Sequence, residues 1–149
     1  MTVAIDTAGL AAAVMARLAG DPRLDVFDGE PIARFDSDGR AHPYAACYFG
    51  AGHQHGPALC STPTEMRWSF QDTAAGGDQA RCRRAAARVR ARLLHFAPVV
   101  AGLNVGPIRE LDDYEPREST DQDVIPSRVY VPLLFTTEVS ASHQQVGVE

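Results

Sequence analysis

The sequence predicts an α+β domain: a single, mostly antiparallel or mixed β-sheet of about four or five strands with two α-helices packed on one face. Three observations carry this. Residues 78–96 contain neither Gly nor Pro, and Cys82, Ala86, Val89, Leu93 and Phe96 recur at steps of four and three, the period of one helix face. Residues 66–73 alternate instead: Met66, Trp68 and Phe70 point one way and Arg67, Ser69 and Gln71 the other, as in a half-buried strand. The order helix, three strands, helix, two strands gathers strands apart from helices, which is the α+β pattern.

Each element has its own signals. Residues 7–18 predict a short helix with Thr7 as N-cap and a narrow apolar stripe of Leu10, Val14 and Leu18; Gly20, Asp21 and Pro22 end it. Residues 24–27 predict a short strand closed by the turn signal Asp28-Gly29. The polar run 34–42 predicts an exposed connection with a tight turn at Asp38-Gly39. Residues 43–50 predict a strand that Pro43 opens, a position strands accept. Residues 51–65, rich in Gly, Pro, Ser and Thr, predict a long loop.

In the second half, Asp78 follows two glycines and is placed to cap the long helix, which Pro98 should stop. Residues 99–106 predict a loop and residues 108–114 a short strand. A second long loop is expected over 115–126. Residues 127–139 predict the last strand, with Pro132 demoting it to an edge or marking a bulge. The tail 140–149 is polar and predicted to fray. There is no repeat, and 149 residues suit a single domain spanning 1–149.

Composition narrows the function classes. A chain 45% hydrophobic and 22% charged is ordinary for a globular domain. No run approaches the ~20 apolar residues needed to cross a bilayer, so no membrane partner is expected. The first basic residue is Arg17, which predicts no secretory signal and a cytosolic chain. Cys47, Cys60 and Cys82 form no CxxC pair and read as small buried thiols. The sequence has no GxSxG, GxGxxG or GxxxxGK[ST] motif. No catalytic residue, cofactor or metal is therefore predicted, and the chain reads as a non-enzyme. His53 and His55, with Cys60, Asp72 or His42, would be needed for a metal site, but no spacing singles them out. A small cytosolic metal- or ligand-binding domain built on the His53–Cys60 loop stands as the alternative from another class.

Charge is distributed unevenly. All fourteen basic residues are arginine. Six of them against Asp78 leave residues 78–96 at +5, while the whole chain is −5. Seven carboxylates against Arg117 leave residues 110–123 at −6. Arg81, Arg84, Arg88 and Arg92 recur on one helix face, predicted to point outward, and Glu110, Asp112, Asp113 and Glu115 begin the acidic tract, predicted to be extended and exposed. Net acidity opposes non-specific nucleic-acid binding. Two unlike patches on one subunit suit a heterologous contact, in which the arginine face meets the acidic tract of the next copy and the chain closes into a ring.

The segments taken together resemble a known family. A short N-terminal helix leads to DVFDGEP (residues 25–31) and HPYAACYFG (42–50); MRWSFQ (66–71), a helix ending ARLL (91–94) and RVYVPLLFTTEV (128–139) follow. In this order, from about residue 10 to 139, the chain resembles the tail terminator proteins of long-tailed double-stranded DNA phages, also called tail-completion or head–tail joining proteins. The resemblance implies a mixed sheet flanked by two helices and a homo-oligomeric, hexameric ring. It further implies that the ring caps the tail tube, ends tail elongation and joins tail to head. The implied partners are the tail tube protein, the head–tail connector protein and, in transit, the genomic DNA. The implied location is the virion, at the head–tail junction, with assembly in the host cytoplasm. A head-side connector or stopper ring remains the alternative within this class.

Overall fold

The computed structural model describes residues 4–55 and 64–141. Its elements in chain order are α1 (Ala8–Ala19), β1 (Asp25–Asp28), β2 (Tyr44–Phe49), β3 (His53–His55), β4 (Glu65–Gly76), α2 (Gln79–Leu93), β5 (Leu103–Val105), β6 (Arg109–Glu110), β7 (Ser119–Asp121) and β8 (Arg128–Ala141). The α+β class holds, but the sheet has eight strands, more than the four or five expected. The order is β1-β2-β4-β8-β5; β3 also pairs with β4, and β6 and β7 also pair with β8. Among the described residues only β1 and β2 run parallel.

The two long strands form the axis. β4 and β8 pair from Glu65↔Ser140 to Gly76↔Val129. Alternation makes one face apolar: Met66, Trp68, Phe70 and Ala74 of β4 and Val129, Val131, Leu133, Phe135 and Val139 of β8 are buried. Leu10, Val14 and Leu18 of α1 and Cys82, Ala85, Ala86, Val89 and Leu93 of α2 join the same core, so both helices cover this face. At its centre Phe49 stacks on Trp68 at 5.7 Å and Phe70 on Phe135 at 5.5 Å. The buried indole Nε1 donates to the Gly50 carbonyl at 2.9 Å, so the ring enters the core without an unpaired donor.

Several local expectations need correction. Asp78 does cap α2, accepting from the Arg81 N–H at 2.8 Å. Thr7 makes no side-chain cap; instead Asp6 accepts from the Ala8 N–H at 2.9 Å. α2 ends at Leu93, ahead of Pro98, because Leu94 turns extended and His95 takes a positive φ of 67°. This lets His95 N–H donate to the Ile108 carbonyl and Ile108 N–H donate to the Phe96 carbonyl, both at 2.9 Å. The predicted loop 99–106 contains β5, the predicted loop 115–126 contains β7, and the predicted loop 51–65 contains β3 and the start of β4. Residues 56–63 of that loop and 142–149 of the tail lie outside the described residues; β8 itself runs on to Ala141.

β8 is not an edge strand, yet Pro132 sits where its missing N–H does no harm. β7 pairs with residues up to Tyr130 and β6 begins at Phe135, leaving a gap in the ladder. The Pro132 carbonyl accepts from the Tyr114 hydroxyl across that gap at 3.0 Å. A strand residue's N–H and C=O share one side, so the absent donor also faces the gap.

Candidate functional site

The candidate site is the arginine surface of α2 with the charged segments around it. Arg81 does not point outward. Its side chain is 15% exposed and reaches three carboxylates, Asp78 at 2.7 Å and Asp36 and Asp38 at 2.8 Å. The connection 34–42, predicted as merely polar, is thereby pinned to the start of α2. Hydrogen bonds from Arg81 and His42 hold the Asp36 carboxyl below its usual range. Backbone N–H donors, from Arg40 to Asp38 and from Arg81 to Asp78, lead the same effect on those two groups.

The acidic tract also lies against α2 of its own chain. Arg90 grips Glu110 through Nε and Nη2 at 2.6 and 3.1 Å, and Arg83 grips Glu118 at 2.7 and 3.1 Å. These forked contacts are the geometry for which arginine is suited. Between them a cavity of about 320 Å³ is lined by Ala86, Ala87, Pro116 and Val131. Arg88 faces the buried Asp21 at 3.5 Å, and Arg92 donates to the Arg17 carbonyl.

Of the residues predicted to contact a neighbouring copy, Arg81, Arg88, Arg92 and Glu110 are thus engaged inside the subunit. Arg84, Asp112, Asp113 and Glu115 are exposed and make no ion pair among the described residues. Arg83 and Glu118 were not singled out by the sequence. A periodic stripe shows which arginines share a face, not which carboxylates the rest of the chain brings within reach.

Asp72 is the residue whose setting the sequence most understated. It lies on the core face of β4, fully buried, with only the weakly donating Cys47 thiol of β2 opposite it and no N–H or O–H donor on either carboxylate oxygen. Burial pushes its carboxyl up to about 7. Burial and the Asp72 charge likewise push the Cys47 thiol up, so that thiol is no nucleophile. The signal was available, since Asp72 continues the phase of Met66, Trp68 and Phe70. The conceivable metal ligands do not converge: His42 contacts Asp36, Asp72 is in the core, and His53 is opposite Arg67. Cys60 lies outside the described residues. Among the described residues no group of three His, Cys, Asp or Glu could hold a metal ion, and no helix is long and apolar enough to cross a membrane.

The sheet face away from the helices carries a second feature. Tyr44, Tyr48, Tyr130 and Arg128 line an open groove of about 290 Å³ there, with Glu30 and Asp121 at its sides. Arg128 lies over the Tyr44 ring at 5.7 Å and donates to its hydroxyl at 3.2 Å.

The sequence matches no protein-family model and no curated protein. The fold is similar to that of a solved chain described as "Virion of native gene transfer agent (GTA) particle", with a TM-score of 0.63 and 20% sequence identity, over 93% of this chain and 100% of the other. At that identity the likeness is one of fold.

Proposed function

We propose that this chain is a structural protein of a phage-like virion, closing into a homo-oligomeric ring at the head–tail junction that caps the tail tube and ends its elongation. The observation that carries this reading is the fold likeness to a chain of a gene transfer agent virion, which spans the whole of that chain and nearly all of this one. The sequence resemblance to tail terminators points the same way. The expected partners are further copies of the chain, the tail tube protein and the head–tail connector, with DNA passing through the lumen.

The free charges support self-assembly. Arg84 and the trio Asp112, Asp113 and Glu115 are unlike, unpaired among the described residues, and present on every copy. A contact between an arginine of this helix and a carboxylate of the next copy is heterologous, so it repeats around a ring if the rotation closes. Exposed ion pairs contribute only about 0–1 kcal/mol each, so they set register while apolar surface supplies adhesion.

Electron microscopy of the purified protein, and of particles lacking it, tests the proposal. Rings, together with tails of uncontrolled length in its absence, are the expected result. Normal tails with heads that lose DNA would favour the head-side stopper ring instead. Intact, infectious or transfer-competent particles without the protein would defeat both.

A further inference from the structure

Resting on the self-assembly reading, we propose that the groove on the open sheet face is the receiving half of the subunit contact, and that it takes Arg84 of a second copy. The groove is walled by three tyrosines and flanked by Glu30 and Asp121, neither in an ion pair among the described residues. Two carboxylates against the one guanidinium of Arg128 leave the lining at −1. Arg128 is already held against Tyr44, which leaves the exposed Tyr48 as the open ring, with the half-buried Tyr130 beside it. Aromatic faces beside carboxylates are the surroundings that attract a guanidinium.

Both lips carry apolar surface. Ile32 follows the groove-lining Pro31 and is 83% exposed; Ile125 follows the groove-lining Val124 and is 93% exposed; Tyr48 on the floor is 44% exposed. Side chains of this kind standing in water supply the adhesion that ion pairs alone do not.

The occupant follows from charge and placement. Arg84 is the one arginine of α2 that is exposed and makes neither an ion pair nor a hydrogen bond to a carbonyl among the described residues. α2 covers one face of the sheet and the groove lies on the other. One copy therefore offers donor and receiver at the same time, on different surfaces, and the contact runs head to tail. Within the acidic tract this selects Asp121, beside the tyrosines, over Asp112, Asp113 and Glu115.

Sedimentation velocity of the full chain across a salt series tests this, with each variant checked for an unchanged melting curve. Glu30→Arg with Asp121→Arg, and separately Arg84→Glu, are each expected to weaken assembly about ten-fold, and the combined reversal to recover most of the loss. Ile125→Ser, at an exposed position, is expected to weaken assembly as well with an unchanged melting curve. If the wild type assembles but only reversal of Asp112, Asp113 and Glu115 weakens it, or no variant does, the groove assignment is overturned and the ring reading survives. A wild type that stays monomeric at every salt concentration, with and without tail tubes, overturns both.

Discussion

Arg17 and Arg92 each donate Nε to the other's backbone carbonyl, at 2.8 and 2.9 Å. The last carbonyls of a helix have no intrahelical donor and carry the negative end of its dipole. Here the final turns of α1 and α2 satisfy one another, and Arg17 also lies 4.9 Å over the Phe96 ring. A Cβ at Gly20 would run into the Arg92 guanidinium.

Arg92→Ala should therefore cost about 1–2 kcal/mol in urea unfolding, and Arg17→Ala a similar amount. Gly20→Ala should destabilise the wild type by displacing Arg92, although Gly20 has ordinary helical dihedrals. In the Arg92→Ala background the same change should be neutral or stabilising, because Ala is the better helix former. Additive losses would show that Gly20 and Arg92 do not interact as described.

Asp72 makes stability depend on pH. Its carboxyl titrates near 7 in the folded chain against an ordinary value of 3.8. The folded state thus holds a proton that the unfolded state has released between these values, so stability falls as pH rises from about 4 to about 7 and then levels off. Asp72→Asn, which keeps the shape without the charge, should be more stable than wild type at pH 8 by up to about 4 kcal/mol. Urea midpoints for both proteins from pH 4 to 8 should converge at the acid end; parallel curves would refute the assignment.

Arg81 gathers Asp36, Asp38 and Asp78, all held below the usual carboxylate range. Groups of that kind stabilise above the ordinary carboxylate pKa and lose the contribution as pH drops below it. Arg81→Met should lower the melting temperature at pH 7, and the loss should shrink towards pH 3 as the stranded carboxylates protonate. Arg81→Lys should recover only part, since one ammonium does not present a planar fork to three carboxylates. Arg84→Met should leave the melting temperature unchanged.

Assembly should respond to Arg84→Glu, which breaks no ion pair among the described residues. Light scattering at low salt is expected to show impaired ring formation, with less effect at high salt. Arg88→Glu is a different experiment: it places a carboxylate beside the buried Asp21, which should destabilise the fold itself and lower the melting temperature. Unchanged scattering for Arg84→Glu would remove this arginine from the contact.

Both helices, the long strands β4 and β8, and the cap at Asp78 were legible in the sequence. Each repeats its period over enough residues, or places a capping side chain beside its helix, to announce itself locally. β3, β5 and β7, with three residues each, were not, whereas the two residues of β6 lie within the strand predicted over 108–114. So short a segment shows no alternation, and it becomes a strand only because β4 or β8 offers it unpaired N–H and C=O groups. Charge followed the same division. The +5 helix and the −6 tract could be counted along the chain, but whether Arg90 meets Glu110 of its own copy or another's is settled by where Ile108 and its neighbours return across the core. Periodicity is a property of neighbours in sequence, and it already put Asp72 on the core face; an ion pair such as Arg90 with Glu110 is a property of neighbours in space, and only the folded chain creates it.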